Sequence, residues 1–176
     1  MRKSLLATTL IATMLGAAAP ALAALSVGAR APDFETTGAL AGKPFKLHLA
    51  DQLKKGPVVL YFFPKAFTSG CTAEAHAFSE ANAQFKKAGA QVIGMSSDDL
   101  PTLQKFSVTE CRNAFPVASA SPATIKAYDV KLPMVNMTNR TSYVIAKDGR
   151  ITMVHSEMGW KDHVAKSLAA VQVLKH

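Results

Sequence analysis

The segment Val58-Val59-Leu60-Tyr61-Phe62-Phe63 is the strongest constraint on what this 176-residue chain can fold into. Six β-prone apolar residues in a row leave no polar face, so the strand they form must be covered on both sides, as central strands of α/β sheets are. Pro64 ends it, because proline has no N–H to give to a sheet ladder. The chain length suits one domain with a substantial core rather than two.

The flanking sequence supplies the cover. Residues 72–87 are rich in Ala and Glu, place Phe78, Ala81 and Phe85 at helical spacing and are followed by Gly89, which predicts a helix. Residues 90–96 read as a second buried strand, and Pro101 opens a helix running toward Arg112. A short strand over 115–118 and a brief helical piece over 123–128 follow. Strands over 141–146 and 151–155 flank Lys147-Asp148-Gly149-Arg150, a hairpin turn. A last helix over 162–174 carries Val164, Leu168, Val171 and Leu174, with Asp162 as its expected cap. Residues 24–57 predict only an irregular section with a small hairpin. The order β-α-β-α-β-α-β-β-α implies an α/β fold of thioredoxin-like architecture, a central mixed sheet with helices on both faces.

The first 23 residues differ from the rest. Arg2 and Lys3, an apolar stretch over 5–19 and Ala21-Leu22-Ala23 have the layout of a signal peptide, which would leave a single domain over 24–176 outside the cytoplasm, periplasmic or secreted. The apolar stretch is short, alanine-rich and broken by Pro20, which argues against a stable membrane anchor. The net charge of +8 is spread along the chain without interleaved aromatics, so nucleic acid is not an expected partner. The five histidines show no HExxH or paired-Cys ligand spacing, and neither a metal nor another cofactor is implied.

Cys71 and Cys111 are the only cysteines. Cys71 falls where the loop after the buried strand turns into a helix. Unpaired amides and the helix dipole there favour an anion, and the thiolate is the reactive form of cysteine. The placement points to a reactive thiol, with a buried structural cysteine as the alternative.

Pro64-Lys65-Ala66-Phe67-Thr68-Ser69-Gly70-Cys71 has the form PxxxTxxC, and with this motif the chain resembles the peroxiredoxin family, most closely its bacterioferritin comigratory protein or Q-type members. Ala31-Pro32-Asp33-Phe34, Tyr61-Phe62-Phe63-Pro64-Lys65, Cys71-Thr72-Ala73-Glu74-Ala75, Asn139-Arg140-Thr141-Ser142-Tyr143-Val144-Ile145 and Asp148-Gly149-Arg150-Ile151 extend the likeness. The resemblance implies a thiol peroxidase in which Cys71 attacks the peroxide, Thr68 hydrogen-bonds the thiolate or peroxide, Arg140 holds the thiolate and the oxygens, and Pro64 shields the pocket. It also implies an external dithiol reductant such as a thioredoxin-like protein, and a monomer. Taken alone, Thr68 reads as a turn or cap residue, Pro64 as a strand terminator and Arg140 as a strand-end charge.

The commonest Q-type pattern has a resolving cysteine five residues after the nucleophile, but here that residue is His76. Other members place it in the next helix, which makes Cys111 the candidate, with a free core thiol or a permanent structural bridge as alternatives. A peroxidase using one cysteine, a thiol-disulfide oxidoreductase and a non-catalytic binding module remain rival functions. The second is weakened because Glu74 stands where a CxxC pair needs its second cysteine.

Overall fold

The computed structural model of the protein describes residues 24–174; the expected signal peptide over 1–23 lies outside the described residues. Seven strands form one mixed sheet in the order β2-β1-β5-β4-β3-β6-β7. At its centre β3, Val58–Phe62, is buried at every position, as its unbroken apolar run requires. It pairs in parallel with β4, Gln91–Ser96, and antiparallel with β6, Thr141–Ile145. Outward from these lie β5, Val117–Ser119, and β7, Ile151–Ser156.

Alternate residues of β3 serve two cores. Val59 and Tyr61, with Phe63 just beyond the strand, join Phe78 and Phe85 of α2 (Ser69–Lys87), Leu103 and Phe106 of α3 (Leu100–Thr109) and Val171 of α5 (Lys161–Val173). Val58, Leu60 and Phe62 face Leu49 and Leu53 of α1 (Leu49–Lys55) and Ile125 of α4 (Pro122–Ala127). The expectation of a mixed sheet with helices on both faces therefore holds.

Residues 24–57 are more regular than their sequence suggests. Strands β1, Glu35–Leu40, and β2, Lys43–His48, pair antiparallel, and β1 joins the main sheet beside β5. The turn between them uses Ala41 and Gly42, both at positive φ (50° and 75°), the backbone of a tight hairpin without the usual Asn-Gly or Asp-Gly signal. Helix α1 has only seven residues, and His48 at its start makes no side-chain cap bond, so neither length nor capping announces it. Asp162 is not the cap of α5: Trp160 occupies that position without a capping bond, and Asp162 lies in the first turn, 3.8 Å from Lys166. Asp99 and Ser121 do cap, accepting from the amides of Thr102 and Thr124.

One close approach ties β3 to the layer under α2. Tyr61 stacks on Phe78 with ring centroids 4.4 Å apart, and its ring crosses Gly94 of β4, where a Cβ would lie 2.8 Å from the ring and hydroxyl atoms. Because Tyr61 is wholly buried, it has no free space into which to retreat. Gly94→Ala is expected to destabilise the protein by about 1–3 kcal/mol through overpacking, read as a lower urea midpoint with unchanged slope; a wild-type midpoint would contradict this packing.

Candidate active site

The site is assembled at the carboxyl end of β3. The register pairs Phe62 with Thr141, so Arg140, immediately before β6, stands beside the loop that leaves β3 and leads to Cys71. That loop is pinned at three points: Thr138 Oγ1 donates to the Phe63 carbonyl (2.6 Å), the Ala66 amide donates to Asp98 (2.8 Å), and Thr68 Oγ1 donates to the Lys65 carbonyl (3.0 Å). Phe67 takes a positive φ of 63° between the last two, with its ring edge-on to Phe106.

Helix α2 begins three residues earlier than the composition suggests, and this puts Cys71 inside its first turn. The Thr72 amide makes the first helical bond, to the Thr68 carbonyl at 2.9 Å. The amides of Ser69, Gly70 and Cys71 therefore have no acceptor within the helix, and Thr68 makes no capping bond to them. They point where an anion is favoured.

Cys71 is 2% exposed, and Arg140 Nη2 donates to its sulfur at 3.5 Å. The same guanidinium, itself 5% exposed, donates through Nε to the Met158 carbonyl (2.9 Å) and through Nη1 to Glu74 Oε2. Gly70 leaves room for this arrangement: a Cβ there would lie 3.3 Å from Arg140 Nη2. Of the residues expected at the site, the structure thus brings Arg140 onto Cys71. Thr68 lies exposed just before α2 with its hydroxyl turned to Lys65 and not bonded to Cys71, and Pro64 lies half-buried just past β3. Cys111 sits fully buried just beyond α3, and both cysteines are free. Burial, aided by neighbouring Glu110, pushes the Cys111 thiol well above the ordinary range.

Glu74 enters the sequence reading within the Cys71–Ala75 stretch of the family likeness and as the residue that spoils a CxxC pair, with no role of its own, yet it is the buried partner of Arg140. The available signal is its spacing: three residues after Cys71, it lies on the same side of the helix one turn later. Its second oxygen has no hydrogen-bond partner and lies 3.8 Å from His163 Nδ1. His163 is fully buried; Nε2 donates to the Glu157 carbonyl (2.9 Å), so in the neutral ring Nδ1 accepts from Ser142 Oγ (2.8 Å). Burial pushes the Glu74 carboxyl up to about 8 despite the opposing pull of Arg140, and burial pushes His163 down to about 4.

The family model described as the AhpC/TSA family matches residues 27–154. A putative peroxiredoxin of Mycobacterium tuberculosis, Rv1608c, is 31% identical over 156 residues, covering 86% of this chain and 99% of its own. Peroxiredoxin Bcp of Bacillus subtilis is 30% identical over 154 residues, covering 84% and 96%. Among solved structures, that of peroxidoxin BcpB from Mycobacterium tuberculosis superposes with a TM-score of 0.73 at 31% identity, covering 84% of this chain and 97% of that one.

The two shifted groups affect stability in opposite directions. Glu74, ordinarily at 4.5, is favoured in its protonated form by folding, so its contribution is complete below pH 4.5 and is lost as the pH rises through about 8. His163 is favoured neutral, so its contribution is complete above 6.5 and is lost as the pH falls through about 4. Of this pair, only Glu74 acts from pH 6.5 to about 8. In that interval Glu74→Gln is expected to flatten the decline of the urea midpoint relative to wild type; an equally steep decline in the variant would overturn the assignment.

Proposed function

Because the chain belongs to the AhpC/TSA family, we propose that its thiol-dependent peroxidase activity is carried out by Cys71, with Arg140 as the cation that serves it. The protein reduces peroxides and draws its electrons from a thioredoxin-type dithiol. The observation that carries the residue assignment is the Arg140 Nη2 contact to Cys71 Sγ, 3.5 Å long, at a helix start with three unused amides.

In the proposed first step the Cys71 thiolate attacks one peroxide oxygen. The O–O bond breaks, its electron pair leaves with the second oxygen, and that oxygen takes a proton to become water or an alcohol; Cys71 becomes a sulfenic acid. Arg140 and the Cys71 amide supply donors where negative charge develops on the departing oxygen, the most effective use of preorganised dipoles. The Thr68 hydroxyl donates to Lys65 and keeps lone pairs with which to accept the peroxide O–H, which orients the substrate. Pro64, half-buried at the end of β3, screens the sulfur from solvent. Exclusion of water strengthens each of these interactions.

In the second step Cys111 attacks the Cys71 sulfenic acid, forming a disulfide and releasing water, and an external dithiol then reduces the pair. Ser79 Oγ donates to the Cys111 carbonyl, which sets the Cys111 backbone level with a residue about 12 Å along α2 from Cys71. A disulfide needs Cα atoms within about 7 Å, so the first turns of α2 and the end of α3 open locally before it forms. Export after signal-peptide removal, into a compartment where disulfides persist, and a monomeric state complete this reading.

Cys71→Ser is expected to abolish hydrogen peroxide consumption with a thiol reductant. Cys111→Ser keeps the first turnover but gains 32 mass units as the sulfinic acid, about two oxygens, whereas wild type forms a Cys71–Cys111 disulfide detected by peptide mass analysis. Full activity in Cys71→Ser would remove the assignment of the nucleophile, and a wild type without the disulfide would leave a one-cysteine peroxidase.

A further inference from the structure

Helix α2 is stitched, turn after turn, to the segment that carries Cys111. His76 Nε2 pairs with Glu110 Oε2 at 2.9 Å, and the Ser79 hydroxyl shares its one proton between the Ala75 carbonyl of its own helix (2.8 Å) and the Cys111 carbonyl (2.9 Å). Arg112 Nη1 donates to Glu80 Oε1 at 3.3 Å, and Asn82 Nδ2 donates to the Ala114 carbonyl at 2.6 Å. Residues 110–114 thus run alongside α2 and are held by its side chains.

The held segment is strained. Arg112 and Asn113 both take left-handed backbone angles, with φ of 48° and 59°. Asparagine tolerates that region, but arginine does so at a cost. The geometry of this turn is held from two sides, by backbone bonds from the Cys111, Asn113 and Ala114 amides to the carbonyls of Phe106, Ser107 and Cys111 and by the contacts from α2.

The four contacts differ in reach. Three join the middle of α2 to residues at or after Cys111. The His76–Glu110 pair alone lies in the turn next to the one containing Cys71, and it grips the residue preceding Cys111. Its side chains are 34% and 18% exposed, sheltered enough to hold yet wet enough to open. Breaking this one pair loosens both segments that must separate.

We propose that the His76–Glu110 contact is a latch on the local opening that lets Cys111 reach Cys71, and that it sets the division of the sulfenic acid between disulfide formation and further oxidation. The proposal rests on the reading of Cys111 as the resolving thiol. Two reactions compete once Cys71 is a sulfenic acid. Cys111 sulfur attacks Cys71 sulfur, an S–S bond forms, the S–O bond breaks and water leaves. Alternatively a second hydrogen peroxide transfers an oxygen to Cys71, giving the sulfinic acid and water. The first requires opening of the latch, while the second proceeds with it closed. A tight latch therefore exposes Cys71 to overoxidation, and a loose one protects it. His76 and Glu110 are positioning residues, for they touch neither sulfur nor peroxide in this cycle.

The test uses the full chain, reduced and then mixed with hydrogen peroxide, with disulfide and sulfinic acid followed by mass analysis after acid quenching. His76→Gln and Glu110→Gln are each expected to speed disulfide formation about two- to fivefold and to raise the peroxide concentration giving half overoxidation by a similar factor. Formation of the sulfenic acid keeps its wild-type rate, which also shows that the variants fold. The double variant matches Glu110→Gln, which besides breaking the contact loses the carboxylate that helps suppress the Cys111 thiol and so is at least as fast as His76→Gln, and His76→Lys, which again offers Glu110 a donor, returns the rate toward wild type. Faster hydrogen exchange at the amides of 110–114 in reduced His76→Gln accompanies the change. A disulfide that forms at the wild-type rate in both single variants overturns the latch alone. Absence of any Cys71–Cys111 disulfide, in wild type and variants alike, overturns the resolving role of Cys111 and the latch with it.

Discussion

The structure turns on one buried cation. Arg140 is 5% exposed, and a guanidinium withdrawn from water loses hydration worth several kcal/mol, of order, unless polar partners replace it. Glu74, the Met158 carbonyl and the Cys71 sulfur are those partners. Glu74 fixes the fork, Met158 fixes its plane, and the remaining donor is left for the sulfur. This division leaves a permanently charged group facing the Cys71 sulfur, since two of its directions are already occupied.

The fold exists around this cation in a concrete sense. The antiparallel pairing of β3 with β6 brings Arg140 to the end of the strand whose loop delivers Cys71, and α5 brings His163 against Glu74 from the other side. Arg140, Glu74, Ser142 and His163 are buried together, so a change in the charge of one is felt by the others at low dielectric. A carboxyl pushed up to about 8 beside a neutral imidazole leaves Arg140 as the one charge among the four below that pH, with its field directed at Cys71. Cys111, by contrast, is sealed in the apolar core, where burial suppresses its thiol. The two cysteines are thus placed differently, Cys71 at a helix start under Arg140 and Cys111 behind contacts from α2.

What the sequence reveals follows from how local each cause is. The unbroken apolar run at 58–63, the helical spacing of Phe78 and Phe85 and the Asp148-Gly149 turn are local signals, and the central sheet, α2 and the β6–β7 hairpin are where they indicate. Cys71 at a helix start is legible for the same reason. The β1–β2 hairpin and α1 are not, because Ala41 takes a turn position usually marked by Asn or Gly and α1 is short, its Ala50 amide being met by Asp33, seventeen residues away, rather than by a side chain at the cap position. The pairing of Glu74 with Arg140 and of His76 with Glu110 joins residues 66 and 34 positions apart, and no local pattern encodes such contacts. Arg140 is visible in the sequence only through family likeness; its burial and its three partners emerge from the register of β6 on β3.

The most direct test of this account is the rate constant for reaction of the reduced protein with hydrogen peroxide, measured by stopped flow for wild type and Arg140→Lys, beside the rate of Cys71 alkylation by iodoacetamide. Lysine keeps the charge but cannot bind Glu74, Met158 and the sulfur at once. The account predicts a peroxide rate lower by about 10²–10³, the usual cost of losing a preorganised donor, with a much smaller fall in alkylation, which needs no stabilised leaving oxygen. Equal losses in both reactions, or a peroxide rate that survives the substitution, would contradict the role given to Arg140.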